Sequence, residues 1–329
     1  MTWSPEREIE IVAGTPRGGG LDRSARALLR AIEANRLVDV PVKIINIGGD
    51  GGRRAWSYLE RFAGDPHAVA ISSPNLIADY LMGVTASDPD RFSPLAILYT
   101  EYIAFVAGIH SHLRSGADLL KRLARDPCSL TFSLATSLGN SNHVAVAKVI
   151  RHAGADTGAP KIRVFDTALD AVADVVAGNA DVGAVTAASA TAEIGAGRLC
   201  SIGLSSPARL FGPYAGTPTW LEQSVDCVVG SWRGVSGPPG LDGAPIMFWQ
   251  TLLSSAIRTE QWKSDLVRHF WSGWYRDGRT LHDDLQRERG DMQVVLQGLG
   301  LLSASVAVHK SALFLAAKSE MRSSEPKPN

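Results

Sequence analysis

Before residue 80 the chain repeats one short plan in succession: an apolar run, a turn built from glycine or proline, and then residues at helical spacing. In "EIVAGTPRGGGLDRSARALLRAI" (Glu10 to Ile32), a strand predicted over Glu8 to Ala13 leads to Gly18, Gly19 and Gly20. From Leu21 onward Leu21, Ala25, Leu28, Leu29 and Ile32 share one helical face. "VKIINI" (Val42 to Ile47) is followed by "GGDGG" (Gly48 to Gly52) and by Ala55, Trp56, Leu59 and Phe62 on one face. "AVAISS" (Ala68 to Ser73) is followed by Pro74, a residue suited to a first helical turn, and by "NLIADYLMG". Strands alternating with helices of this length imply parallel sheets covered by helices, an α/β class.

A second series starts at Ser115. A helix predicted over Ala117 to Arg125 precedes the strand "SLTFSLA" (Ser129 to Ala135), the polar loop "TSLGNSN" (Thr136 to Asn142) and a helix from His143 to His152. "KIRVF" (Lys161 to Phe165), a turn at Asp166 and Thr167, a helix to Gly178, "DVGAV" (Asp181 to Val185) and "LCSIGLSS" (Leu199 to Ser206) complete it. Beyond an extended segment around "VDCVVGSWRGV" and a Pro/Gly-rich turn, nearly everything after Ala244 has a helical pattern. The tryptophans between Trp220 and Trp274 are spaced as core residues, and the tail "SSEPKPN" reads as disordered.

With 329 residues, 45% of them hydrophobic and 20% charged, the chain exceeds one typical domain and has ample core for two. Lys+Arg and Asp+Glu balance at 33 each, so no overall charge recruits nucleic acid or an anionic membrane. Cys128, Cys200 and Cys227 match neither CxxC nor a metal-ligand spacing, which excludes the usual zinc and redox motifs. No apolar run of about 18 residues and no basic start followed by an apolar core is present. Either the protein is cytosolic or Met1 stands where a leader was removed.

In a parallel α/β sheet, ligands bind beyond the carboxyl ends of the strands, where loops enter helix N-termini. Arg17 to Gly20, Gly48 to Gly52 and Thr136 to Ser141 all have that placement. Glycine lets backbone N–H groups approach a ligand, and a helix N-terminus adds unpaired donors and partial positive charge. The combination favours a carboxylate or phosphate. Nucleotide motifs do not fit: "GTPRGGGLD" lacks the Lys-Ser/Thr of a phosphate-binding loop, "GGDGGRR" is not a G-x-G-x-x-G, and no G-x-S-x-G elbow occurs. His110 and His112, without a cysteine or carboxylate cluster near them, read as a solvent-facing or hinge pair. His143 either lines the site or closes the helix N-terminus. Arg17 sits inside its loop, where it can pair with a carboxylate.

These residues, in this order, resemble the substrate-binding proteins of tripartite tricarboxylate transporters, the Bug or TctC family. "AGTPRGGGLDRSAR" is similar to the family's "VPFAPGGGTDIVAR" through Gly18, Gly19, Gly20, Asp22, Ala25 and Arg26. "NIGGDGG" stands where the family has "NRPGAGG", keeping Asn46, Gly48, Gly51 and Gly52. "LTFSLATSLGNSNHVAVAKV" resembles "LNYGSAGVGSSSHLAGEL" through Gly139, Ser141 and His143. "ALDAVADVVAGNADVGAV" and "AGRLCSIGLSSPAR" follow the family's "ALTALLGGQVDLMF" and "AGKLRALAVTSAKR". The resemblance runs from about residue 8 to residue 300.

The resemblance implies a type II periplasmic-binding-protein fold, two α/β domains joined by two crossing segments around a central cleft. Domain one would hold residues 1–104 plus 231–329 and domain two residues 105–230, with crossings near Tyr102 to Gly108 and Cys227 to Gly234. It further implies a monomeric periplasmic protein, its leader peptide missing from this chain, that binds a small carboxylate without turnover or cofactor and hands it to integral-membrane transporter subunits. The ligand-binding residues expected are Thr15, Pro16, Arg17, Gly18, Gly19, Gly20, Asp22, Gly49, Asp50, Ser72 and Ser73 from domain one. Domain two would add Thr136, Ser137, Asn140, Ser141, His143, Asp166 and Thr167. Where the family has "YKGGGP" this chain has "VFDTAL", and Asp50 adds an acid to the second loop. Extra carboxylates beside an anion site favour a ligand that also carries an amino, amide or hydroxyl group at its far end. The same cleft would serve a sensor that docks a signalling receptor, or an enzyme using Asp166 and His143 as an acid/base pair.

Overall fold

The first strand, β1 (Ile9–Ala13), shows how one stretch of sequence sets two layers. Successive side chains on a strand point to opposite faces. Ile9, Ile11 and Ala13 accordingly join one buried cluster while Val12 joins another. The computed structural model describes residues 3–304, so the tail "SSEPKPN" lies outside the described residues.

After β1 come α1 (Gly20–Ala34), β2 (Val42–Asn46), α2 (Arg53–Glu60), β3 (Ala68–Ser72) and α3 (Asn75–Leu81). Strand β1 pairs in parallel with β2 on one side and β3 on the other, as alternating strands and helices require. Next is β4 (Ser93–Gly108), a single strand of 16 residues. At ~3.3 Å per residue it reaches about 50 Å, long enough to serve two sheets. The second series then follows: α4 (Gly116–Arg125), β5 (Thr131–Ala135), α5 (Ser141–His152), β6 (Lys161–Phe165), α6 (Ala168–Val176), β7 (Val182–Thr186), α7 (Ala187–Gly195) and β8 (Leu199–Leu204). The chain returns through β9 (Gly230–Gly237) to α8 (Gly243–Ala256), α9 (Glu260–Arg268), β10 (Ser272–Arg276) and α10 (Gly278–Gly298).

The strand order is β2-β1-β3-β9-β4-β7-β5-β6, with β8 and β10 also paired to β4. Residues Ser93 to Tyr102 of β4 pair antiparallel with β9, and the stretch from Ile103 onward pairs antiparallel with β7 and β8. Three features therefore differ from the sequence expectation. The sheets are mixed, not purely parallel, because β4 and β9 enter against the parallel strands. The C-terminal region contains a strand, β10, within its helices; a five-residue segment with a glycine at its second position carries little periodic signal and is held by the free edge of β4. Helix α5 starts at Ser141 and not His143, because Asn140 caps it.

Apolar packing follows the same division. Around β1, β3 and the first part of β4, Leu28, Ile32, Tyr99, Trp249, Trp262 and Trp271 form one cluster, with Tyr99 stacked on Trp271 at 4.0 Å between ring centroids. On the later strands, Phe105, Leu119, Phe132, Leu134, Val146 and Trp220 form another. Most tryptophans of the last third are core residues, since Trp220, Trp232, Trp249, Trp262 and Trp271 are all buried. The three cysteines are free thiols. Among the described residues no helix is long and apolar enough to cross a membrane.

Candidate functional site

The turn from β1 into α1 uses Gly18, Gly19 and Gly20 each for a different physical reason. Gly18 sits at φ +84°, in the left-handed region that disfavours a side chain. At Gly19 a Cβ would lie 2.6 Å from Cβ and Oγ1 of Thr15, so the turn closes only with bare backbone there. At Gly20 a Cβ would meet nothing among the described residues nearer than 3.9 Å, and that open face borders a cavity.

Beneath the turn, the buried Asp22 organises it. Its carboxylate accepts hydrogen bonds from the Gly18 N–H (2.8 Å), Arg26 Nε (2.9 Å) and Asn46 Nδ2 (2.9 Å). Burial alone would push its pKa up, but the bonds from Arg26, Gly18 and Asn46 outweigh burial and hold the carboxyl below its ordinary value. The Asp22 N–H in turn donates to Thr15 Oγ1 at 3.1 Å, and the Arg23 N–H to the Gly19 carbonyl at 3.0 Å. The N–H groups of a helix's first turn have no intrahelical acceptor. Those of Gly20 and Leu21 find none among the described residues, and both residues line the cavity.

Helices α5, α6 and α7 bring the same feature from the other side. Asn140 caps α5 by accepting the His143 N–H at 3.1 Å, and Thr167 caps α6 by accepting the Asp170 N–H, also at 3.1 Å. Ser141 and Asn142 of α5, Ala168 of α6, and Thr186 and Ser189 at α7 all line the cavity. Four helix N-termini thus converge on one space of about 60 Å³. One water needs ~10–15 Å³, so the space takes a small molecule of several heavy atoms. Aligned peptide dipoles make each helix start partially positive, which favours an anion.

The floor comes from β9. Ser231 and Arg233 line the cavity, and Arg233, 8% exposed, pairs with buried Glu101 of β4 at 2.6 Å. Contacts cross from one side to the other: Asn75 Nδ2 donates to Thr136 Oγ1 and Arg23 Nη2 to Ser189 Oγ, each at 2.9 Å. Thr136 holds φ +69°, unusual for a β-branched residue, and its hydroxyl also accepts from Asn140 Nδ2 at 2.9 Å.

Of the residues singled out from sequence, Thr15, Gly19, Gly20, Ser73, Thr136, Asn140, Ser141, Asp166 and Thr167 line the cavity. The others do not. Pro16, Arg17 and Gly18 lie exposed on the turn, and Asp22 is packed beneath it. Gly49 precedes the short turn that Gly51 presents to the cavity, while Asp50 is half exposed and pairs with Arg54 at 2.7 Å. Ser72 pairs with β9 in the sheet, and Ser137 is half-buried with its hydroxyl shielded from solvent, away from the cavity lining. His143 accepts the Gly139 N–H at Nδ1, 3.0 Å, and burial lowers its pKa, so it closes the α5 start as a neutral ring. Asp166 is exposed at the rim, and no hydrogen bond or ion pair joins it to His143.

Sequence reading missed Thr186, Ser189, Asn75, Ser231 and Arg233. The first three lie at or just beyond the ends of β7 and β3, so the strand-end rule applied to every strand would have found them. Ser231 and Arg233 carry no local signal, because they face the cavity only once β9 lies between β3 and β4. A second cavity of about 290 Å³ lies between α3 and α10, walled largely by Trp56, Leu76, Phe92, Trp232 and Leu285. It is larger but has no comparable set of helix starts.

No protein-family model and no curated protein matches the chain. Among solved structures it shares its fold with a TctC solute binding protein from Polaromonas, at 21% identity over 90% of this chain and 99% of that one, TM-score 0.66. MatC from Rhodopseudomonas palustris with bound malate is similar at 19% identity, over 89% of this chain and 99% of that one, TM-score 0.76. An R. palustris protein with adipate is similar at 18% identity, over 90% and 98%, TM-score 0.81. The fold is that of periplasmic solute-binding proteins of the TctC and Bug type.

Proposed function

We propose that this chain belongs with the TctC/Bug solute-binding proteins and captures a small carboxylate-containing ligand by closing domain one (1–104 plus 231–329) over domain two (105–230). The observation that carries the reading is the convergence of the α1, α5, α6 and α7 N-termini on one small polar cavity between the two groups of strands. Each helix start offers unpaired N–H donors, and the low-dielectric protein around the small cavity strengthens their attraction for negative charge. Malate and adipate, bound by two proteins of this fold, are carboxylates of the expected kind. Asp166, at the rim and without a partner among the described residues, suits the hydroxyl, amino or amide group at the ligand's far end.

In this reading the protein works outside the cytoplasm, as a monomer and without turnover, and the closed form delivers its ligand to integral-membrane subunits of a tripartite tricarboxylate-type transporter. Closure would be stabilised by Asn75–Thr136 and Arg23–Ser189 contacts formed across the cleft. A thermal-shift panel of C3 to C6 dicarboxylates, hydroxy acids and amino acids tests it. A ligand at 100 times its Kd stabilises the folded state by about 2.7 kcal/mol. Failure of every carboxylate to raise Tm in well-folded protein would reject the reading.

A further inference from the structure

Gly20 has a bare face, and among the described residues the only heavy atoms within 4 Å of the position its Cβ would take, apart from its chain neighbours and helix backbone, are two guanidinium nitrogens, Nη2 of Arg23 and Nη2 of Arg233, each at 3.9 Å. They arrive from distant parts of the chain. Arg23 is one turn along α1, where its Nη1 donates to the Gly18 carbonyl (3.0 Å) and its Nη2 to Ser189 Oγ (2.9 Å). Arg233 is set by the sheet: Glu101 faces Ser231 across the β4–β9 ladder, so Arg233, two residues on, lies diagonally opposite on the same face and forms the ion pair. Its Nη1 donates to Ser231 Oγ (2.7 Å) and the Trp232 carbonyl (2.9 Å).

These bonds orient both forks without using all their donors. Arg23 Nε and Arg233 Nε are buried and have no hydrogen-bond partner among the described residues. Unpaired buried donors are costly, and a guanidinium matches a carboxylate in planar geometry. Glu101 neutralises one of the two positive charges; the other is uncompensated beside the cavity, next to the free N–H groups of Gly20 and Leu21.

We infer that Arg233 and Arg23 form a two-arginine clamp over the bare face of Gly20 that holds a ligand carboxylate, making the cleft discriminate a charged carboxylate from its amide. This rests on the carboxylate reading above and goes further, since it assigns the charge recognition to side chains that span the floor and the α1 lip. Because Arg23 also bridges to Ser189, the group that reads the ligand's charge is the group that ties the two sides together.

Calorimetric titration with succinate, L-malate, glutarate and adipate, each beside its diamide, which has no carboxylate for the clamp to hold, tests it. Arg23→Gln and Arg233→Lys are the side-chain variants; the lysine keeps a positive charge against Glu101 while removing the fork. Gly20→Ala fills the bare face, and with no contact nearer than 3.9 Å its fold stands. The clamp predicts that each variant binds the dicarboxylate roughly 10- to 100-fold more weakly and that Arg23→Gln and Arg233→Lys lose much of the preference for acid over amide. Wild-type protein that binds a dicarboxylate, with Arg23→Gln and Gly20→Ala binding it equally well, overturns the clamp and leaves the carboxylate reading standing. Wild-type protein that binds none of the four overturns both.

Discussion

The two lips of the cleft present backbone donors by opposite means. On the α1 side the lip is made by leaving side chains out: Gly19 lets the turn close on Thr15, and Gly20 leaves room in front of the arginines. On the α5 and α6 side it is made by putting side chains in, with Asn140 and Thr167 capping the helices that follow β5 and β6. A glycine turn needs support from beneath, which Asp22 supplies; a capped helix start carries its own. The first lip should therefore fail when atoms are added or its support is removed, and the second when its caps are deleted.

The largest effect is expected on the first lip. Asp22→Ala removes the acceptor for Gly18, Arg26 and Asn46 and should cost about 2–3 kcal/mol in urea denaturation, since it leaves three part-buried donors without that acceptor. Gly19→Ala forces a contact of 2.6 Å on a β-branched neighbour and should cost about 1–3 kcal/mol by the same measurement. Because the folded Asp22 carboxyl titrates below its ordinary value, its contribution is full above the unfolded pKa and is lost as pH falls through the folded one. Equal stability of Asp22→Ala and wild-type protein at pH 7 would break the contrast between the lips.

Asp79 of α3 behaves in the opposite sense. Burial pushes its pKa up to about 6, only partly offset by Arg53 at 3.3 Å. The folded state then binds a proton that the unfolded state has released. Stability from this group is present at pH 4 and is lost as pH rises through about 6, a change of roughly 2–3 kcal/mol. Asp79→Asn should remove that loss, so melts of the two proteins at pH 4 and pH 7 should differ in pH slope by this amount. Parallel slopes would show that Asp79 is solvated or better paired.

Smaller effects belong to the second lip. Asn140→Ala loses the α5 cap and the side-chain bonds to the Ala135 carbonyl (2.7 Å) and Thr136 Oγ1 (2.9 Å), for about 1–2 kcal/mol in thermal melts. Thr167→Ala loses one cap bond at a less buried position, for about 0.5–1 kcal/mol, with faster amide exchange confined to the first turn of α6. A loss at Thr167 as large as that at Asp22 would erase the difference between the lips.

What the chain reveals by itself is local. The apolar runs of β1, β2, β3, β5 and β6, the glycine turns and the cap-forming residues all act on neighbours a few positions away, so their pattern is written in consecutive residues. The strand-end loops, and with them nine cavity-lining residues, were legible on that basis. Direction was not. Arg17 and Asp50 sit in the right loops but lie outside the cavity, while Asp166 reaches its rim, because packing of each turn decides which side faces inward.

Longer-range choices left no trace in any window of sequence. That β4 joins two sheets, that β10 adds to its edge, and that Arg233 meets Glu101 and the face of Gly20 are decided by strand pairings between distant segments. Sequence alone placed partially positive helix starts at strand ends; only the tertiary structure pointed four of them and an arginine at one small space, because convergence is a property of packing and not of any single turn.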